Sequence, residues 1–168
     1  LASFVAQVAP GDVRKVAVTL YGTFKDLQPQ PILQATVAGA LKAADAEISF
    51  VNAMARAESR GVEASYAVSS SSTRHANLMS VSITTSETEL AVAGTLFGEG
   101  QLRLVEIDGI PVDAVLHGHI LAIKNDDTPG VVGRIGTKLG ENGVNIAQMN
   151  LGRKAAGGRA VMLIEVDA

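Results

Sequence analysis

The chain contains no cysteine among its 168 residues. This absence excludes disulfide bonds, a thiolate nucleophile, cysteine-ligated zinc and an iron–sulfur cluster held within the segment. Tryptophan is also absent and only 4% of the residues are aromatic, so alanine, valine, leucine and isoleucine must build the core. No run approaches the roughly 20 apolar residues that a membrane-spanning helix needs, and residues 1–10 lack the basic start of a signal peptide.

No tract of the sequence is rich in basic residues, and the formal net charge is -3. Proteins that bind nucleic acids normally present a basic face, so we expect no nucleic-acid partner. We also expect no membrane partner and a location in the cytoplasm. A chain of this length can form one domain or two small ones, and can bury roughly 70% of its unfolded surface.

The first two thirds of the chain predict a small α+β domain over residues 12–116. Residues 1–11 carry apolar side chains at helical spacing, and we interpret them as the tail of an upstream segment. Helices are predicted over 29–44, where prolines occupy the first turn, and over 52–60. A polar loop is predicted over 69–77. Alternating apolar residues predict strands of an antiparallel sheet at 16–20, 62–68, 78–84, 89–96 and 102–107.

The last third, residues 117–168, predicts a separate unit with the element order β-α-β-β. Its predicted elements are strands at 120–124, 144–151 and 160–166 and a helix at 129–141, with Val132, Ile135 and Leu139 on the inner face of the helix. This is the beginning of the ferredoxin-like order β-α-β-β-α-β, without the last helix and strand. An incomplete sheet of this kind exposes an edge and an apolar face, so we expect the missing segment to have been removed or to be disordered.

The stretch from Asn125 to Val131 places polar groups beside the predicted start of a helix. The first backbone N–H groups of a helix lack intrahelical partners and carry partial positive charge, which suits a carboxylate. Asp127 is placed to accept hydrogen bonds from an ammonium group, and Asn145 offers both a donor and an acceptor. The pattern suits a small zwitterion such as an amino acid. The residues alone leave an alternative open, in which Asp127 caps the helix and Asn145 satisfies a turn.

No set of residues in the sequence forms a convincing catalytic or metal site. His117 and His119 would share a face if both lay on a strand, but no third ligand has useful spacing. The cluster of Asn125, Asp126 and Asp127 lacks the further oxygens that a hard cation needs. No glycine-rich dinucleotide fingerprint follows a predicted strand, so we expect no nucleotide cofactor in this segment.

Several motifs, taken together, resemble the regulatory region of a known enzyme family. In the last third, similarity to an ACT domain rests on Asp127-Thr128-Pro129-Gly130-Val131, Ile135-Gly136, Leu139, Gly143-Val144-Asn145-Ile146, Leu151-Gly152-Arg153 and Gly158-Arg159-Ala160. Before it, similarity to an intervening domain, also called an allosteric substrate-binding domain, rests on Val51-Asn52-Ala53, residues 91–98 and Asp108-Gly109. This combination resembles the C-terminal regulatory region of the D-3-phosphoglycerate dehydrogenase family in its long bacterial form.

The resemblance implies that the intact protein oxidises 3-phosphoglycerate with NAD in the biosynthesis of L-serine. It also implies that L-serine inhibits the enzyme by binding between paired ACT domains, and that chains associate through the ACT and intervening domains. Carried over to this sequence, the ligand residues are Asn125, Asp127 and Asn145, contributed by two different ACT domains. The catalytic and NAD-binding domains of the family do not correspond to this segment, so we expect it to be non-catalytic and to hold no cofactor or metal.

The resemblance also raises an anion site, because some family members hold a phosphate or substrate in the intervening domain through clustered basic residues. Arg103 lies near that position, but Ile110-Pro111 stands where a basic or aromatic residue is expected. We therefore favour a solvated strand charge for Arg103. Two alternative functions remain open for the whole segment: a purely oligomerising structural module, and the regulatory part of an L-serine dehydratase subunit.

Overall fold

The computed structural model describes residues 1–70, 75–98 and 100–167. The chain divides into two compact units, Leu1–Leu102 and Arg103–Ala168. The loop predicted over 69–77 lies partly outside the described residues. None of the helices in the described ranges has the length and apolarity that a membrane crossing requires.

The first unit combines helices with a four-stranded portion of sheet. Its helices are α1 (Ala2–Val8), α2 (Pro29–Leu41) and α3 (Ala53–Ser59), together with a short 3-10 helix at Thr23–Asp26. Its strands are β1 (Val13–Gly22), β2 (Glu63–Ser69), β3 (Asn77–Thr85) and β4 (Glu89–Phe97), which lie side by side in the order β2-β1-β3-β4. The α+β class predicted from the sequence is confirmed.

Strand β1 lies between a parallel and an antiparallel neighbour. It pairs antiparallel with β3, which pairs antiparallel with β4, as the predicted sheet requires. With β2, however, β1 pairs in parallel, so that Val18 lies opposite Tyr66. Parallel neighbours need a long crossover in place of a hairpin, and α2 and α3 lie in this crossover. Apolar side chains of β1 alternate towards the core, where Val16, Val18 and Leu20 are buried together with Val37 of α2.

The second unit contains a hairpin followed by the predicted β-α-β-β set. The hairpin consists of β5 (Gln101–Ile107), whose first two residues belong to the first unit, and β6 (Ile110–Ala114). The set that follows is β7 (His119–Asp126), α4 (Val131–Glu141), β8 (Ile146–Arg153) and β9 (Arg159–Val166). Its three strands form a sheet in the order β7-β9-β8, so β9 is central and β7 and β8 are edges.

Strand β6 is not among the strands predicted from the sequence. Asp108 and Gly109 adopt φ values of 49° and 71°, and two successive positive φ values are what a two-residue hairpin turn requires. The strand after this turn has only five residues and includes Pro111, which lacks a backbone N–H. Proline is tolerated because β6 lies at the edge of its sheet, where one side of the strand needs no partner.

Helix α4 presents a different apolar stripe from the one predicted. Val131, Ile135 and Leu139 are half-buried, whereas the side chain of Val132 is 43% exposed. The inward stripe therefore runs at spacings of four residues, and the placement of Val132 on the inner face is wrong. No residue of α4 is fully buried.

Strand β9 is covered on both faces. Its buried residues are consecutive, as expected for a strand between two layers: Ala160, Val161, Met162, Leu163 and Ile164. On one face the sheet is covered by β6. This strand approaches β8 so closely that a Cβ added to Gly152 of β8 would lie 2.0 Å from the backbone oxygen of Pro111 of β6. A glycine at position 152 is therefore a condition for the packing of the hairpin on the sheet.

We expect Gly152→Ala to destabilise the chain by about 1–3 kcal/mol, because the added methyl group overlaps backbone that cannot rotate away. Gly136→Ala on α4 is the matched control, since a Cβ there meets nothing within 4 Å, and alanine favours a helix by about 1 kcal/mol over glycine. Urea unfolding measures both changes. Equal unfolding midpoints for the two variants would contradict the packing of β6 against Gly152.

Candidate functional site

The carboxylate of Asp127 is held by the connection between β8 and β9. Arg153 donates a hydrogen bond from Nη1 to Oδ2 of Asp127, and the backbone N–H of Gly157 donates to the same oxygen at 3.2 Å. The backbone N–H of Asp127 in turn donates to the carbonyl oxygen of Gly158 at 2.8 Å. The side chain is only 18% exposed. These contacts fix Asp127 beside the turn that follows β8.

The same contacts affect the pKa of the Asp127 carboxyl. The hydrogen bond from Arg153 lowers the pKa of this carboxyl below its usual value, and the Gly157 N–H lowers it further against the opposing effect of burial. Asp127 is therefore a carboxylate at neutral pH. Both hydrogen bonds end on Oδ2, so Oδ1 is the oxygen available to an incoming donor.

Helix α4 begins two residues later than predicted. Its N-terminal flanking residue is Gly130, which has a φ of 86°, and no side chain in the described ranges caps the helix. Asp127 therefore does not cap α4, and the capping alternative is wrong. The N–H groups in the first turn of α4 have no intrahelical partners, and the guanidinium of Arg134 lies nearby, with Nη1 3.2 Å from the position of a Cβ on Gly130.

The side-chain oxygen of Asn125 is the second notable group at this end of the sheet. Asn125 lies on β7 opposite Ala160, and its Nδ2 donates to the backbone oxygen of Asp126 at 2.8 Å. Its Oδ1 is buried and accepts no hydrogen bond from any residue that the structure describes. Buried polar atoms are rarely left unpaired, and each one costs about 1–3 kcal/mol. A ligand with an N–H or O–H group would remove that cost.

Asn145 lies at the opposite end of the same sheet. Its Nδ2 donates to Oδ2 of Asp167 at 2.6 Å, and the backbone N–H of Asp167 donates to the carbonyl oxygen of Asn145 at 3.1 Å. The stretch of chain from Ala160, beside Asn125, to Asp167 covers roughly 20 Å at about 3.3 Å per residue. One chain therefore brings Asn125 and Asp127 to the same end of the sheet and leaves Asn145 at the other.

Sequence reasoning missed the residues that hold these side chains in place. Arg153 lies 26 residues after its partner Asp127, and Asp167 lies 22 residues after Asn145. Separations of this length carry no local spacing signal. Arg153 and Gly158 did stand in the motifs that resemble an ACT domain, but the motif does not say which side chain they contact.

Arg103 forms an ion pair on the hairpin, where its Nε donates to Oδ1 of Asp113 at 2.7 Å. The Arg103 side chain is 29% exposed and that of Asp113 is 66% exposed.

The two histidines considered as metal ligands do not share a strand face, because His119 begins β7 whereas His117 precedes it. Within the described ranges, no group of three His, Cys, Asp or Glu side chains is placed to hold a metal ion.

Comparison with known proteins gives two domain matches. Residues 1–108 match the D-3-phosphoglycerate dehydrogenase intervening domain, and residues 119–168 match the ACT domain. The chain belongs to the D-3-phosphoglycerate dehydrogenase intervening-domain family. The β-α-β-β set that carries Asn125, Asp127 and Asn145 is its ACT domain, and the resemblance inferred from the motifs is confirmed.

Curated relatives carry the same enzyme name. The D-3-phosphoglycerate dehydrogenase of Bacillus subtilis is 37% identical over 168 residues, which cover 99% of this chain and 32% of the relative. That of Synechocystis is 30% identical over 169 residues, covering 99% and 30%. That of Archaeoglobus fulgidus is 34% identical over 160 residues, covering 94% and 30%. The chain thus spans about a third of the length of these relatives.

Removing the guanidinium of Arg153 should raise the pKa of Asp127. A carboxyl whose pKa is lowered by folding stabilises the fold fully above its unfolded pKa, and loses that contribution as the pH falls through the lowered folded value. In Arg153→Gln we therefore expect the pKa of Asp127 to rise towards its usual value, and the loss of stability in acid to be smaller. Carbon NMR titration of the carboxyl measures the pKa, with Arg14→Gln in the first unit as the control. An unchanged pKa in Arg153→Gln would contradict the assigned contact.

Proposed function

We propose that this chain is the regulatory region of a D-3-phosphoglycerate dehydrogenase and that its ACT domain binds L-serine at a site shared by two copies. ACT domains generally bind amino acids and mediate self-association. The observation that carries the shared site is the separation of Asn145 from Asn125 and Asp127 by roughly 20 Å along β9. A ligand as small as an amino acid contacts all three residues only if a second chain supplies one of them.

The edge position of β8 supports such a pairing. An edge strand presents unpaired N–H and C=O groups, to which a second strand can add. The side chain of Leu151 on β8 is 47% exposed, which gives the edge an apolar contact. In a two-fold dimer the two β8 strands run antiparallel, so the start of one lies beside the end of the other. This brings the partner's Asn145 towards Arg153, and so towards Asp127.

The charges in the shared site suit a zwitterion. The ammonium group of the amino acid is bound by Oδ1 of Asp127, and Oδ1 of Asn125 accepts from the ammonium or the side-chain hydroxyl. The carboxylate is bound by the N–H groups in the first turn of α4, with the guanidinium of Arg134 nearby. The partner's Asn145 closes the site with an amide that can donate or accept.

Binding across two chains gives serine a means of regulation. A ligand that contacts both ACT domains favours the arrangement in which they are paired, and the coupling to a distant active site is typically worth about 1–3 kcal/mol. In the intact enzyme that active site oxidises 3-phosphoglycerate with NAD in the cytoplasm, and both the chemistry and the NAD site belong to domains other than this segment. Serine would thereby inhibit the pathway that produces it.

A purely oligomerising module is the second candidate, because the β8 edge and exposed Leu151 would also serve a pairing without a ligand. The buried, unpaired Oδ1 of Asn125 favours the sensor, since a module that only pairs chains has no use for it. The L-serine dehydratase alternative is less well supported, because the matched intervening domain and the relatives reported above are named for the dehydrogenase.

Calorimetric titration with L-serine tests the sensor. We expect saturable binding of L-serine that D-serine and glycine do not match, and a loss of about tenfold or more in Asp127→Asn, because a hydrogen bond to a charged group is removed. Asp26→Asn, which removes a carboxylate from the first unit, should bind as the unmodified chain does. Equal affinity in Asp127→Asn would overturn the site, and an absence of binding in the unmodified chain would leave the oligomerising module ahead.

A further inference from the structure

A basic cavity of about 490 Å³ lies in the second unit, where three chain segments converge. The turn between β5 and β6 contributes Asp108, the end of β7 contributes Lys124 and Asp126, and the start and end of the β8–β9 connection contribute Lys154 and Arg159. Cavities of this size hold small metabolites. Arg103, which lies near the anion site that the family resemblance raised, does not line this cavity.

The cations of this cavity are only partly compensated. Lys124 donates from Nζ to Oδ2 of Asp108 at 2.8 Å, which pairs one lysine with one carboxylate. Across the described part of the chain, the side chains of Lys154 and Arg159 form no ion pair. Two unpaired cations therefore face one remaining carboxylate, that of Asp126, in a chain with three more acidic than basic residues overall.

The fold holds these cations together. Asp126 lies opposite Arg159 in the β7–β9 ladder, and Lys124 lies two residues before Asp126, so all three side chains leave the same face of the sheet. Lys154 reaches this face from the turn after β8, because its Nζ lies 2.6 Å from the position of a Cβ on Gly109. The glycine, with its φ of 71°, thus leaves room for the ammonium group beside the hairpin turn.

We propose that this cavity binds a small oxyanion with two or more negative charges, of the phosphate or polycarboxylate class. Arginine and lysine together are suited to such groups, because guanidinium donates along two directions and ammonium supplies a compact charge. A bound anion would supply the ion-pair partners that Lys154 and Arg159 lack in the described part of the chain. The carboxylate of Asp126, which also lines the cavity, would accept hydrogen bonds from hydroxyl groups attached to the anion.

This site is separate from the proposed serine site in both charge and composition. It takes its cations from Lys124, Lys154 and Arg159 of a single chain, whereas the serine site depends on Asp127 and on a residue of a second chain. Anion binding should therefore survive Asp127→Asn. Serine binding should likewise survive the loss of Lys154, so that the failure of one proposal leaves the other testable.

Separate titrations of the 168-residue chain with inorganic phosphate and with citrate, at constant ionic strength and followed by amide NMR, test the proposal. We expect saturable shifts centred on the turns at 108–110 and 154–159. Affinity should fall about tenfold in Lys154→Gln and in Arg159→Gln, as expected when one charge-assisted hydrogen bond is lost. The matched controls Lys138→Gln and Arg14→Gln remove the same charges from α4 and β1 and should bind as the unmodified chain does.

Two results would overturn the site. One is an absence of saturable phosphate and citrate binding in the millimolar range. The other is an equal loss of affinity in the site variants and the control variants, which would show that phosphate responds only to net charge. Because amide spectra are recorded for every variant, an unfolded variant is recognised directly, and the other site variant then decides the outcome.

Discussion

The antiparallel ladder of β9 with β7 and β8 is the constraint on which the candidate sites of the second unit depend. Because β9 is buried on both faces, its register with its neighbours cannot slip by one residue without turning the apolar side chains outward. That register places Asn125 opposite Ala160 and the start of β8 opposite Val166. The candidate ligand residues Asn125, Asp127 and Asn145 of one chain therefore lie at two ends of one sheet. The proposed site, which needs all three residues, requires two sheets to be joined.

Within one end of the sheet, the decisive interaction is the ion pair between Asp127 and Arg153. It lowers the pKa of Asp127, and it engages Oδ2 of the carboxylate and leaves Oδ1 available. An exposed carboxylate without such a partner would change its side-chain conformation more easily and would bind an ammonium group with a larger loss of entropy. In the proposed site, Arg153 would position Asp127 and would reduce the net negative charge that an amino-acid carboxylate meets.

Much of the fold follows from local patterns, and the remainder depends on contacts between distant residues. Apolar periodicity predicted the α-helices and eight of the nine strands found in the described residues, because each needs only its own residues. The parallel pairing of β1 with β2 and the short strand with Pro111 were missed, because partner choice and edge position are set by the whole sheet. For the candidate site, the sequence pointed to Asp127 and Asn145 but did not indicate Arg153, the partner of Asp127. The prediction that Pro129 opens α4 was wrong because Gly130 turns the chain with a positive φ before the helix begins.

The most direct test of the shared site mixes two defective chains. Asp127→Asn and Asn145→Ala chains should each bind L-serine poorly on their own. In a mixed dimer, one of the two sites combines the intact Asp127 of one chain with the intact Asn145 of the other. Random mixing should therefore restore about a quarter of the sites to full affinity, a fraction that follows from two-fold symmetry and that calorimetric titration measures. No recovery on mixing chains that do exchange subunits would contradict a site built from two copies.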